Sequence, residues 1–103
     1  MDWIGTDIYS KYPTFRYLSK FYKRYPGKPF AIGEWGVWDA DSPRFVHKLF
    51  RWQRSHPRLR MMIYHMGFGG RSNTLSLFRW PRSAAMTRSQ VRGPRFPAYA
   101  PGA

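Results

Sequence analysis

The chain is predicted to be an α/β protein built on a parallel sheet, and three observations carry that expectation. Short apolar segments at residues 2–9, 28–35 and 59–66 alternate with three stretches of helical spacing, with proline or glycine at most junctions. The order β-α-β-α-β-α, with strands apolar on both faces, is what a parallel sheet with crossover helices requires. Length bounds the size of that sheet: 103 residues make one small domain, whereas a closed (β/α)8 barrel takes roughly 250. Three units can form a small open sheet or continue a larger one.

The first strand, residues 2–9, reads DWIGTDIY, short and partly β-branched. Tyr12-Pro13-Thr14 breaks the chain, and Thr14 is placed to cap a helix over 15–25. Phe15, Leu18, Phe21, Tyr22 and Tyr25 recur there at helical spacing, with Arg16, Lys20, Lys23 and Arg24 between them. Pro26-Gly27 ends it. The second strand, 28–35, reads KPFAIGEW, with Pro29 tolerated only near its start.

Asp41-Ser42-Pro43 is a strong helix start, a capping side chain followed by proline in the first turn. That helix is expected to reach about Ser55, burying Phe45, Val46, Leu49, Phe50 and Gln53, with Arg44, Lys48, Arg51 and Arg54 opposite. Pro57 closes it, and residues 59–66 (LRMMIYHM) form the third strand. Residues 67–73 read as a long loop, the usual place for binding groups. A final helix is predicted over 81–92, and a proline-bearing tail, 97–103, is expected to be flexible.

Composition excludes several classes. There is no cysteine, hence no disulfide, thiolate zinc site or thiol nucleophile. No apolar run is long enough to cross a bilayer, and the first residues lack a signal peptide's basic start and long apolar core. His47, His56 and His65 are too scattered for a metal motif. The Gly67-Phe68-Gly69-Gly70 run lacks a dinucleotide loop's spacing and its following helix. No Gly-x-Ser-x-Gly elbow supports a serine hydrolase.

Net charge is +13 and lopsided. Six basic residues and all five acids lie at or before Asp41; from Ser42 onward there are twelve basic residues and no acid. A basic solvated surface and a nucleic-acid-binding surface both fit that distribution.

Glu34 is the only glutamate. It ends an apolar strand between Gly33 and Gly36, and in parallel α/β architectures that strand end is where ligands bind. The pair of segments around it, Asp2-Trp3-Ile4-Gly5-Thr6-Asp7-Ile8-Tyr9 and Lys28-Pro29-Phe30-Ala31-Ile32-Gly33-Glu34-Trp35-Gly36, resembles strands six and seven of family 26 glycoside hydrolases. These are β-mannanase-like enzymes of the retaining (β/α)8 clan. Met61 to His65 and Pro81-Arg82-Ser83-Ala84-Ala85-Met86 fit strand and helix eight, so the resemblance covers residues 2–96.

It implies a partial TIM barrel, the last three βα units, occupying residues 1–96. It also implies an O-glycosyl hydrolase-like fragment with Glu34 as nucleophile and no cofactor or metal. A β-mannan or related β-glycan would be the ligand, and the missing N-terminal part of the barrel a partner. The family context suggests a secreted protein. Tyr9 matches a tyrosine that hydrogen-bonds the nucleophile in the family; plain packing is the blander reading. Asp7 shares Tyr9's strand face by alternation and can line the same mouth or serve structure alone.

Trp35, Trp38 and Phe68 are candidate platforms for sugar rings, whose CH faces suit aromatic surfaces; each can equally be core. Retaining hydrolysis needs two carboxyl groups about 5–5.5 Å apart. The family's acid/base glutamate lies upstream of anything in this chain, so the isolated chain is expected to hydrolyse no glycoside. Two other readings stand beside this one: a small basic nucleic-acid-binding protein, and a non-catalytic carbohydrate-binding remnant.

Overall fold

A computed structural model describes residues 2–67 and 73–92. The elements come in the predicted order: β1 (Ile4–Tyr9), α1 (Phe15–Arg24), β2 (Phe30–Gly36), α2 (Pro43–Arg54), β3 (Leu59–Tyr64) and α3 (Pro81–Val91). A 3-10 turn at Leu77–Arg79 precedes α3, a feature the periodicity did not announce. The proposed tail lies outside the described residues.

The three strands form one parallel sheet in the order β1-β2-β3. One side of it is packed. Ile8, Phe30, Ile32, Trp35 and Leu59 meet Phe15 and Leu18 of α1 and Phe45, Val46, Leu49, Phe50 and Trp52 of α2 in a single core. The other side is left largely to solvent, with Met61 45% and Ile63 48% exposed. The architecture is therefore an α/β unit with a three-stranded open sheet.

Two contacts between distant segments hold the helices in place. The first begins beside the N-cap of α2. Ser42 occupies that cap, as expected, but its side chain makes no capping bond. The Asp41 carboxylate reaches instead to the start of α3, accepting from the Arg82 N–H (3.0 Å), the Ser83 N–H (2.8 Å) and the Ser83 hydroxyl (2.5 Å). Ser83 in turn accepts from the Ser42 N–H at 2.8 Å and is 0% exposed. A carboxylate at a helix N-terminus satisfies orphan N–H groups and opposes the helix dipole.

Burial pulls the Asp41 pKa upward, but the bonds from Ser83 and Arg82 outweigh it and hold the group below its ordinary value. The depressed folded value fixes the sign. The stabilisation is present above the unfolded value, about 3.9, and is lost as pH falls through the folded one. Asp41→Ala should cost about 1–2 kcal/mol at pH 7. The gap from wild type should narrow below about pH 4, as urea melts at pH 7 and pH 3 would show.

The second contact is made by Arg58, just before β3. Its guanidinium donates to the carbonyls of Tyr22 (2.6 Å), Tyr25 (2.9 Å) and Lys28 (2.9 Å), closing the C-terminus of α1 and the turn after it. The same group lies 3.8 Å from the Tyr22 ring centre, and the Arg58 N–H donates to the Tyr22 hydroxyl. Arg58→Ala should cost about 1.5–3 kcal/mol, the scale of hydrogen bonds to a charged group. Arg58→Lys should recover little, because an ammonium cannot reproduce the planar fork. The urea midpoint at pH 7 reads both.

Candidate functional site at the carboxyl ends of the strands

The direction of Glu34 is decided by one residue of register. Thr6 pairs with Ile32, and the next residue on β1, Asp7, pairs with Glu34, so Gly33 is an extra residue bulged out of β2. Without it, Glu34 would share the face of Phe30 and Ile32 and point into the core. The bulge flips the alternation. Glu34 moves to the free face, half-buried, and Trp35 moves beneath the helices.

On that free face Tyr9 and Asp7 of β1 flank Glu34. The Tyr9 hydroxyl donates a hydrogen bond to Glu34 Oε2. Burial, the bond to Glu34 and the charges of Glu34 and Asp7 all push the Tyr9 pKa well above the ordinary tyrosine value. The phenol therefore stays protonated and remains a donor at any ordinary pH. Gly36 gives the tyrosine ring its seat: a Cβ there would lie 3.2 Å and 3.3 Å from two Tyr9 ring carbons and 3.0 Å from Leu75 Cδ2.

Asp7 accepts the Glu34 backbone N–H. Desolvation, then the neighbouring Glu34 charge, raises its pKa against the lowering effects of that bond and of His65. Two carboxyl groups, a phenol and an imidazole thus gather at one end of the sheet. Such a set can hold one carboxylate rigidly and share protons around it.

The aromatic candidates divide. Trp38 stays at the rim, half-buried, its ring 5.6 Å from Tyr9 and 5.9 Å from Tyr12, with Lys11 Nζ 4.7 Å from its centre. Its backbone N–H donates to the Ser10 hydroxyl at 2.8 Å. Lys11 also pairs with Asp39 at 2.5 Å, and Asp39 itself sits at φ 68°. Trp35 is a correction: it is 3% exposed, packed edge-on against Phe50 and Tyr64, and cannot stack on a ligand. The bulge that frees Glu34 is what buries it. Phe68 lies outside the described residues.

His65 is the group that sequence reasoning passed over. It follows β3, donates its backbone N–H to the Trp35 carbonyl at 2.8 Å, and stands close enough to Asp7 for its charge to be felt there. The alternation Met61, Ile63, His65, which puts the three on one face, is the signal that could have found it. No group of three or more candidate metal ligands occurs among the described residues.

The chain matches no family model, no curated protein and no solved structure.

Proposed function

We propose that this chain is the nucleophile-bearing C-terminal part of a retaining (β/α)8-barrel β-glycanase of the family 26 type, inactive without a companion chain. The observation that carries this reading is the hydrogen bond from Tyr9 to Glu34. It joins neighbouring parallel strands at their carboxyl ends, on the face turned away from the helices. That is where a barrel of this class keeps its chemistry.

The sheet supports the same reading. Strand order is sequential, and among the described residues the core lies on one side of the sheet. A doubly wound fold would place helices on both faces and reverse its strand order at a switch point. Here the uncovered face would become barrel interior, and the free edges of β1 and β3 would pair with strands five and one of the companion. Unpaired edges favour association, so the isolated chain is expected to self-associate.

In this mechanism the Glu34 carboxylate attacks the anomeric carbon, forming a glycosyl-enzyme while the companion's acid protonates the departing oxygen. Tyr9 fixes the carboxylate's direction. Trp38, beside Tyr9 at the rim, offers an aromatic surface for a sugar ring. The ligand class is a β-mannan or related β-glycan.

The test is reconstitution with the first five βα units of a family 26 enzyme, assayed on an aryl β-mannoside. Neither part alone should turn over substrate; the complex should, and Glu34→Gln should abolish the turnover. A complex that forms yet works equally well with Glu34→Gln would sink the proposal.

A further inference from the structure

The helix layer is charged in a way the catalytic reading does not use. Its three helices carry ten lysines and arginines, four on α1, four on α2 and two on α3, and not one aspartate or glutamate. Exposed helices ordinarily intersperse both signs at i,i+4. Here Arg16 and Lys20, Lys20 and Arg24, and Arg44 and Lys48 stand at that spacing as like charges. All five carboxylates lie on or beside the strands and in the loop before α2.

The cations converge. Arg16 of α1 with Lys48 and Arg51 of α2 line a groove of about 370 Å³ between the two helices, on the side of the helix layer remote from the sheet. Ser19 and Ser55 lie in its walls, and Trp52 forms its floor. The floor is rigid: the Trp52 indole N–H donates to Ser19 Oγ at 2.9 Å, and the His56 ring stacks on Trp52 at 3.7 Å. Lys48 lies along the groove with its ammonium 4.7 Å from the Phe15 ring centre, which holds the charge at the rim. Ser19 accepts the indole hydrogen and so keeps its own O–H as a donor.

We infer that this groove binds the phosphodiester backbone of a nucleic acid, without reading its sequence. Guanidinium groups supply forked donors matched to phosphate oxygens, the lysine a point charge, and the serine a neutral donor between them. Thirteen of the eighteen basic residues in the chain are arginines, the better of the two for that geometry. Trp52 is too buried to stack on bases, so recognition is by backbone charge. Tyr17, exposed next to Arg16 on α1, is the aromatic group placed to touch a base of a strand leaving the groove. The inference does not rest on the glycanase reading, since the groove is on the opposite side of the core from Glu34.

The experiment is fluorescence anisotropy of the full chain with a labelled 20-nucleotide single strand, across a series of salt concentrations. Log affinity should fall linearly with log salt. Each of Arg16→Glu, Lys48→Glu and Arg51→Glu should weaken binding at least ten-fold and make the slope shallower by about 0.7, the value for one phosphate contact on a single strand. Arg60→Glu makes the same charge change on β3, away from the residues that line the groove, and should cost less than about three-fold.

Arg16→Gln and Arg51→Gln, which only remove charge from exposed positions, guard against misfolding, and should act in the same direction. Glu34→Gln should leave binding unchanged. Equal losses from Arg60→Glu and the groove variants would overturn the site. So would salt-insensitive binding, or tighter binding to phosphatidylserine vesicles than to the oligonucleotide at equal phosphate concentration.

Discussion

In a reconstituted barrel, Glu34→Gln is expected to lower kcat/KM by at least about 10⁴-fold, which corresponds to about 5.5 kcal/mol of lost transition-state stabilisation. Glutamine keeps the shape and can still accept from the Tyr9 hydroxyl, but it has no anionic oxygen with which to form the glycosyl-enzyme. Tyr9→Phe tests the neighbouring half of the arrangement. It removes a hydrogen bond to a charged group, worth about 1.5–3 kcal/mol, so a loss of roughly 10–150-fold is expected. If positioning is the role of Tyr9, the loss should appear mainly in kcat, with KM nearly unchanged. A Tyr9→Phe loss as large as that of Glu34→Gln would mean that the phenol, not the carboxylate, carries the reaction.

The largest effect on stability is expected at Phe30. Its side chain is 0% exposed at the start of β2, where Phe21 and Tyr22 of α1 and Trp52 of α2 close over it with ring centres 5.3–6.4 Å away. It is the point at which both helices touch the same strand. Phe30→Ala should cost about 3–5 kcal/mol through lost burial and the cavity left behind. Domains of this size are stabilised by only roughly 5–15 kcal/mol, so a large share of the folding free energy goes with that ring. The urea midpoint should fall sharply with little change in slope, which identifies lost stability rather than a changed unfolded state. Phe30→Leu, which keeps most of the volume, should cost much less. Equal effects from both substitutions would mean that ring–ring contacts, not filled volume, hold this part of the core.

Much of the fold was legible in the chain because helix and strand periods are local. The spacing of Phe45, Val46, Leu49, Phe50 and Gln53 gave the buried face of α2, and all five are buried. The alternation of Asp7 and Tyr9 placed them together on β1, and they do flank Glu34. Proline and glycine bracketed the elements to within two residues at most ends. The site was harder. Simple alternation along β2 would put Glu34 with Phe30 and Ile32 and leave Trp35 free for a ligand. The bulge at Gly33 reverses both assignments, and no local pattern distinguishes a bulged glycine from an ordinary one.

By itself, then, the sequence determined the order of elements, the inward faces of α1 and α2, the exclusively basic character of the helices and the position of Glu34 at a strand end. These follow from composition and from periods of two and 3.6 residues, which operate within a few positions of each residue. Only tertiary structure decided the face on which Glu34 emerges, the burial of Trp35, the use of Asp41 to cap α3, and the closing of α1 by Arg58. Each of these depends on which segments, some 25 to 42 residues apart, come to lie side by side. Strand register and buried hydrogen bonding settle that jointly, as the core closes, and not residue by residue.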